Sequence, residues 1–202
     1  MHGVTEPDRG GMEVAGRTDA EITRGMLMTA GVAASDIVAR ADDVRIAACE
    51  AYARLCPADL SACVAPGVGD LLEQLAGRAG TVLSLVTGNY EAIARLKLRA
   101  AGIGAYFASG QGGFGSDHES RAELPAIARR RAGEEGEPWP RARTLLIGDT
   151  PRDIACARAD GVRVVAIATG PYEAAALSAA DVVAQDAREL GHVLDRLLSP
   201  AA

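Results

Sequence analysis

Two carboxylates four residues apart follow an apolar run that ends in glycine. Thr144-Leu145-Leu146-Ile147 leads into Gly148-Asp149-Thr150-Pro151-Arg152-Asp153. With one at a strand end and the other in the first turn of the next helix, Asp149 and Asp153 converge on one small hard cation. Magnesium takes one or two carboxylates together with waters and phosphate oxygens. The alternative makes Asp149 a turn residue and Asp153 a helix-start carboxylate favoured by the helix dipole. That alternative accounts less well for the pair following a fully apolar run. A second apolar run, residues 81–86, delivers Thr87-Gly88-Asn89. A hydroxyl beside a glycine that admits close backbone approach suits a phosphoryl oxygen, although capping a strand is the commoner use of such a threonine. Arg121, in Ser116-Asp117-His118-Glu119-Ser120-Arg121 near a helix start, suits charge balance between a phosphoryl group and a carboxylate. On its own it reads more readily as a solvated helix face.

These residues need strand ends to hold them. Up to residue 65 the pattern is helical. Thr18 or Asp19 can N-cap a helix through Ile22, Met26 and Leu27 that ends near Gly31. Ser35 or Asp36 opens a second helix, with Ile37, Val38, Val44, Ala48, Tyr52 and Leu55 at mostly helical spacing. Pro66-Gly67 breaks the chain before a short helix with Leu71, Leu72 and Leu75. From residue 81 the pattern alternates. Strand-type runs at 81–86, 144–147, 162–168 and 180–184, and a weaker one at 105–109, alternate with helices at 90–101, 119–132, 152–159 and 187–198. Continuously apolar strands separated by helices predict a parallel sheet covered on both faces, with ligands outside the strands' carboxyl ends.

Composition narrows the function. The 202 residues carry 21 basic and 27 acidic side chains, a formal charge of −6. With no basic run, nucleic acid is not an expected partner. No apolar stretch reaches the roughly 18 residues of a membrane span, and residues 1–16 lack the apolar segment of a secretory signal. A cytoplasmic protein with no membrane partner is expected. Cys49, Cys56, Cys63 and Cys156 match no zinc spacing and read as small packed thiols. His2, His118 and His192 are too scattered for a metal cluster or a nucleophilic triad.

Taken together and in this order, the motifs resemble the haloacid dehalogenase superfamily, within it the phosphoglycolate-phosphatase-like branch. Val86-Thr87-Gly88-Asn89 is similar to its second motif and Arg121 to the Lys or Arg of its third. Gly148-Asp149-Thr150-Pro151-Arg152-Asp153, with Ala159-Asp160-Gly161 downstream, is similar to its fourth. The resemblance implies a Rossmann-like α/β core, residues 66–202, and a small helical cap, residues 14–65. It further implies a magnesium-dependent phosphatase acting on a small phosphorylated metabolite. In that reading Thr87, Gly88, Asn89 and Arg121 hold phosphate, Asp149 and Asp153 hold Mg2+, and Arg17 and Thr18 at the start of the cap contact substrate.

The family's first motif is an apolar strand ending in Asp-x-Asp, whose first Asp attacks phosphorus and whose second protonates the leaving group. No Asp-x-Asp occurs in these 202 residues. The chain begins at or just before the cap, as though the first core strand had been cut away, through a gene start placed too late or a real loss. In the family that strand lies between those ending at Thr87 and Asp149. Its loss would leave neighbours about 10 Å apart, twice the normal spacing. They must then close up and pair, or something must fill the slot, or the fold is marginal. The chain alone is expected to have little turnover, lacking nucleophile and general acid. The alternatives are a non-catalytic binding module of the same fold, or a dinucleotide-binding protein. The latter rests on Gly110-Gln111-Gly112-Gly113-Phe114-Gly115 with Glu134 and Glu135 about 20 residues on.

Overall fold

The computed structural model describes residues 11–134 and 136–198. Helix α1, Asp19–Thr29, opens on Thr18, whose hydroxyl accepts from the Glu21 N–H at 3.1 Å. The expected second helix is two, α2 (Ala34–Ala39) and α3 (Ala41–Leu55), broken at Arg40. The break lets Ile37 bury on the α1 side while α3 runs on to pack against a later helix, α5 (Glu91–Ala100). Asp42 and Asp43 occupy the first turn of α3, where the helix dipole favours them. Residues 14–65 contain these three helices and no strand.

Helix α4, Val68–Ala76, precedes five short strands: β1 (Val86–Thr87), β2 (Gly113–Phe114), β3 (Leu145–Gly148), β4 (Arg163–Ile167) and β5 (Val182–Ala184). Between and after them lie α5, α6 (Leu124–Ala132), α7 (Pro151–Asp160) and α8 (Ala187–Leu198). All pairing between these strands is parallel, as the continuous apolar runs predict. Val165 and Ile167 of β4 face Leu71 and Leu75 of α4 and Leu190, Val193 and Leu194 of α8. Val164 and Ala166 point the other way, onto Ile154 and Ala157 of α7. The two-residue alternation of a strand thus feeds two apolar layers, one on each face.

The sheet is in two pieces. β3-β4-β5 form one and β1-β2 the other, with no ladder between β1 and β3. Of the run 81–87 only Val86 and Thr87 are paired, with Gly113 and Phe114. The strand expected at 105–109 does not form. Gly104–Tyr106 is a 3-10 turn, and Arg95 engages the carbonyls of Phe107, Ala108 and Gln111 at 2.8, 3.0 and 2.7 Å. Acceptors that a strand ladder would use are thereby taken, and the partner of β1 forms later, at the fully buried Phe114.

Helices α6 and α7 are locked together by a buried ion pair. Arg129 donates to both Asp160 oxygens at 2.6 and 2.9 Å and to the Trp139 carbonyl at 2.8 Å, while Arg141 adds bonds to Asp160 from the rim. Both partners are buried, so removing one leaves the other charge uncompensated. Arg129→Leu is predicted to lower stability by about 3 kcal/mol, read as a lower urea midpoint. Arg129→Leu with Asp160→Asn should recover a large part of that loss. Equal losses in single and double variants would refute the pairing.

Candidate active site

Asp153 is 4% exposed, and its carboxylate is tied into the turn between β3 and α7. One oxygen accepts from the N–H groups of Asp149 and Thr150, at 3.2 and 3.0 Å, and from the Thr150 hydroxyl at 2.8 Å. The Thr150 hydroxyl in turn accepts from the Asp153 N–H at 3.3 Å, closing a capping box at the start of α7. The other oxygen takes the Arg121 guanidinium, delivered by the 3-10 turn Arg121–Glu123 that leads into α6. This folding back requires glycine at 148. A Cβ there would stand 2.3 Å from the Asp153 Cβ and Cγ.

Asp149 stands at the open end of β3. Burial pushes its carboxyl above the ordinary carboxylate range, and the negative charge of Asp153 adds to the rise. A backbone hydrogen bond and Arg121 oppose it. Two carboxylates facing one guanidinium make a site short of positive charge. Beneath them Cys156 donates its thiol to the Asp153 carbonyl at 3.2 Å. Burial pushes that thiol up to about 11, Arg121 pulling it down and Asp153 adding to the rise, so it is a neutral packing group. Among the described residues the buried Nε of Arg121 finds no acceptor.

Thr87, Gly88 and Asn89 form a second group at the end of β1. The Thr87 hydroxyl accepts from the Asn89 N–H at 3.2 Å. Among the described residues it donates to no acceptor, which leaves its proton for a ligand oxygen. The Asn89 amide is engaged on both sides, donating to Asp19 at 3.1 Å and accepting from Lys97 at 2.9 Å. Lys97 also lies over the Tyr52 ring, 5.3 Å from its centre, and so ties α5 to α3. Gly88 meets the backbone of Arg17 and Thr18 directly, since a Cβ would fall 2.1 Å from the Arg17 carbonyl oxygen.

Residues 15–19 connect the two groups. The Thr18 hydroxyl, fully buried, donates to the Glu119 carbonyl at 2.6 Å, two residues before Arg121. The Asp19 N–H donates to the Gly88 carbonyl at 2.8 Å, and its carboxylate accepts from the Tyr90 N–H at 2.8 Å. On the other side Arg152 donates to the Ala15 carbonyl at 3.1 Å. Arg17 donates to the Glu13 carbonyl at 2.8 Å and pairs with the Glu21 carboxylate. The structure thus brings Arg121, Asp149 and Asp153 into one cluster. It sets Thr87, Gly88 and Asn89 in another at the same rim, and puts Arg17 and Thr18 in the bridge between them. The sequence reading gave no site role to Asp19, Lys97 or Thr150. Thr150-x-x-Asp153 is a capping-box spacing and could have been found. The bonds of Asp19 to Asn89 and Tyr90 span some seventy residues and leave no local trace.

The profile of the haloacid dehalogenase-like hydrolases matches residues 9–158, and a HAD-hydrolase-like profile matches residues 122–197. The chain belongs to the haloacid dehalogenase-like hydrolases. No curated protein matches it. Among the described residues the two sheets and eight α-helices accord with the Rossmann-like core of that family. The glycines at 110–115 serve the same fold. They end in β2 and open no helix, and Gly115 packs on the Gly88 carbonyl, so the segment lacks the strand-to-helix turn that cradles a dinucleotide pyrophosphate. His118 is exposed, with Nδ1 accepting from the Ser120 N–H at 3.0 Å.

Because folding raises the Asp149 pKa, the folded state holds that proton more tightly than the unfolded one. Stability from this group therefore falls as pH rises through the carboxylate range and up to the raised folded value. Asp149→Asn is predicted to raise the urea midpoint at pH 7, and the gain should vanish at acid pH where both states are protonated. A midpoint shift of the same size at both pH values would contradict the assignment.

Proposed function

We propose that these residues are the phosphate- and Mg2+-binding part of a phosphomonoester hydrolase acting on a small phosphorylated metabolite. The observation that carries this is the charge-deficient cluster at the end of β3. Asp149 is pushed toward protonation by burial and by Asp153, with Arg121 clamped beside it. A divalent cation relieves that deficit better than a proton does at neutral pH, because it balances both carboxylates at once.

The donor set fits magnesium through Asp149 directly. Asp153 already accepts from Arg121, Thr150 and the Asp149 N–H, so it contributes through water or after Arg121 turns aside. Among the described residues no group of three or more acidic, His or Cys side chains gathers around one point. The remaining ligands would be waters and phosphate oxygens, the usual habit of this ion. When bound, it supplies positive charge to the phosphoryl oxygens and the leaving group.

The protein's own part is binding and orientation. Thr87 offers a free hydroxyl proton to one phosphoryl oxygen, and Gly88 leaves the backbone there bare of side chain. The Arg121 guanidinium balances the charge that accumulates between phosphate and carboxylates. Hydrolysis by this family's chemistry also needs a carboxylate to attack phosphorus and an acid to protonate the leaving oxygen. These 202 residues present no Asp-x-Asp for those roles. The 202-residue chain is accordingly a binder with crippled turnover.

Two measurements test the reading. With p-nitrophenyl phosphate and Mg2+, turnover is predicted below about 10⁻³ s⁻¹, against the roughly 1–10³ s⁻¹ of ordinary enzymes. Mg2+ with inorganic phosphate should raise the thermal midpoint of the wild-type chain and leave that of Asp149→Asn unmoved. Robust turnover abolished by Asp149→Asn would show that another group is the nucleophile. No response of the wild type to Mg2+ and phosphate would sink the binding site itself.

A further inference from the structure

No residue of α3 is buried, so no apolar core of its own fixes where that helix sits on α5. A segment with so little buried apolar surface opens at low cost, and specific contacts must hold it. Among these, the Lys97 ammonium of α5 lies 5.3 Å from the centre of the Tyr52 ring of α3. In the return from α3, the Leu60 N–H donates to the Ala100 carbonyl at the end of α5, at 2.9 Å. Lys97 is the only lysine of the 202 residues. The same ammonium donates to the Asn89 carboxamide oxygen at 2.9 Å. The carboxamide nitrogen donates to one Asp19 oxygen at 3.1 Å, while the other Asp19 oxygen accepts from the Tyr90 N–H at 2.8 Å. With its oxygen toward a cation and its nitrogen toward an anion, the carboxamide has a single orientation. The backbone N–H of Asn89 then donates to the Thr87 hydroxyl oxygen at 3.2 Å. That bond fills one lone pair of the hydroxyl and leaves its proton for an acceptor outside the loop.

We propose that Lys97 is a positioning residue for the anion site at the end of β1, and that it makes anion binding there depend on whether α3 is seated. This part for Lys97 rests on the phosphate-binding reading of Thr87. Lys97 acts through its neighbour and not on the anion. It holds the Asn89 carboxamide, Asn89 holds the Thr87 oxygen, and the Tyr52 ring holds the ammonium. Tyr52, Asn89 and Lys97 are all half-buried, where a cation over an aromatic face counts for more than it does in open water. When α3 lifts, the ammonium exchanges the ring for water and the Asn89 oxygen loses its fixed donor. An anion arriving at Thr87 must then order residues 87–89 itself, at a cost in affinity. By reciprocity, an anion on Thr87 favours the seated position of α3 to the same extent.

The test uses the 202-residue chain with Mg2+ and inorganic phosphate, and reads phosphate affinity from thermal midpoints across a phosphate titration. Lys97→Met keeps the stem and removes the charged donor, and is expected to weaken phosphate binding about tenfold. Tyr52→Leu, on the other helix, is expected to weaken it about threefold. Lys97→Arg keeps a cation and Tyr52→Phe keeps a ring, so both should bind phosphate as the wild type does. Because Lys97 is the only lysine, its acetylation by sulfosuccinimidyl acetate, followed by mass spectrometry of its peptide, reports on the contact directly. Mg2+ with phosphate should slow that acetylation about threefold, through the coupling alone, and Tyr52→Leu should speed it. A lysine with only a structural part would gain no protection from phosphate. If the wild type binds no phosphate, the phosphatase reading fails and the part for Lys97 falls with it. If the wild type binds phosphate and Lys97→Met binds it equally well, the proposal for Lys97 is overturned and the phosphate site stands. The same holds if bound phosphate leaves the acetylation rate of the wild type unchanged.

Discussion

A parallel sheet is ordinarily held in register by its hydrogen-bond ladder, and here the ladder is interrupted at the centre. The relative position of β1-β2 and β3-β4-β5 therefore depends on contacts at the rim and on the helices that span both halves. Thr18 on Glu119, Asp19 on Gly88, Arg152 on Ala15 and Arg121 on Asp153 form a belt across the carboxyl ends. Below it, α6 packs on β1 and β2 and is fastened to α7 by Arg129 and Asp160. Every member of that belt joins segments far apart in sequence.

The candidate active site lies on this belt, so its geometry and the integrity of the fold are one problem. Arg121 reaches Asp153 only because α6 and α7 are held side by side, and Asp153 can accept it only because Gly148 has no side chain. The same guanidinium that could balance a phosphoryl group is balancing a buried carboxylate. On the proposed reading, a ligand that drew Arg121 outward would leave Asp153 to be compensated by something else, and a divalent cation beside Asp149 would do that. Metal and anion are thus expected to favour each other's binding through one shared side chain.

The gap between β1 and β3, a cavity lined by residues 82–86 and 144–147, departs from ordinary packing in the same region. Burying backbone N–H and C=O groups without partners is costly, and an edge strand of valine, leucine and isoleucine is a template for another strand. The expectation that the flanking strands might close on each other is not met. Side chains such as Leu83 and Leu145 already pack on the α4–α8 layer, and moving either wall inward would pull them from it.

Much of the fold was legible because it is local or periodic. The apolar runs at β3, β4 and β5, the Leu71–Leu75 and α8 stripes, and the Thr18 N-cap follow from side-chain alternation and from donors left over at helix starts. So does the placing of Asp149 and Asp153 side by side, since a strand end and a capping turn set both within six residues. The sequence alone could not reveal that residues 82–84 would stand without backbone partners, or that Gly113 and Phe114 would replace 105–109 as the partner of β1. Nor could it show that Thr18 and Asp19 would serve as the clamp between half-sheets. Those outcomes depend on which edges find neighbours and on where Arg95 and Asp19 find acceptors and donors tens of residues away. Pairings of that kind exist only once the chain has been brought together, because a hydrogen bond between distant segments is fixed by their position in space and by nothing in the residues adjacent to either one.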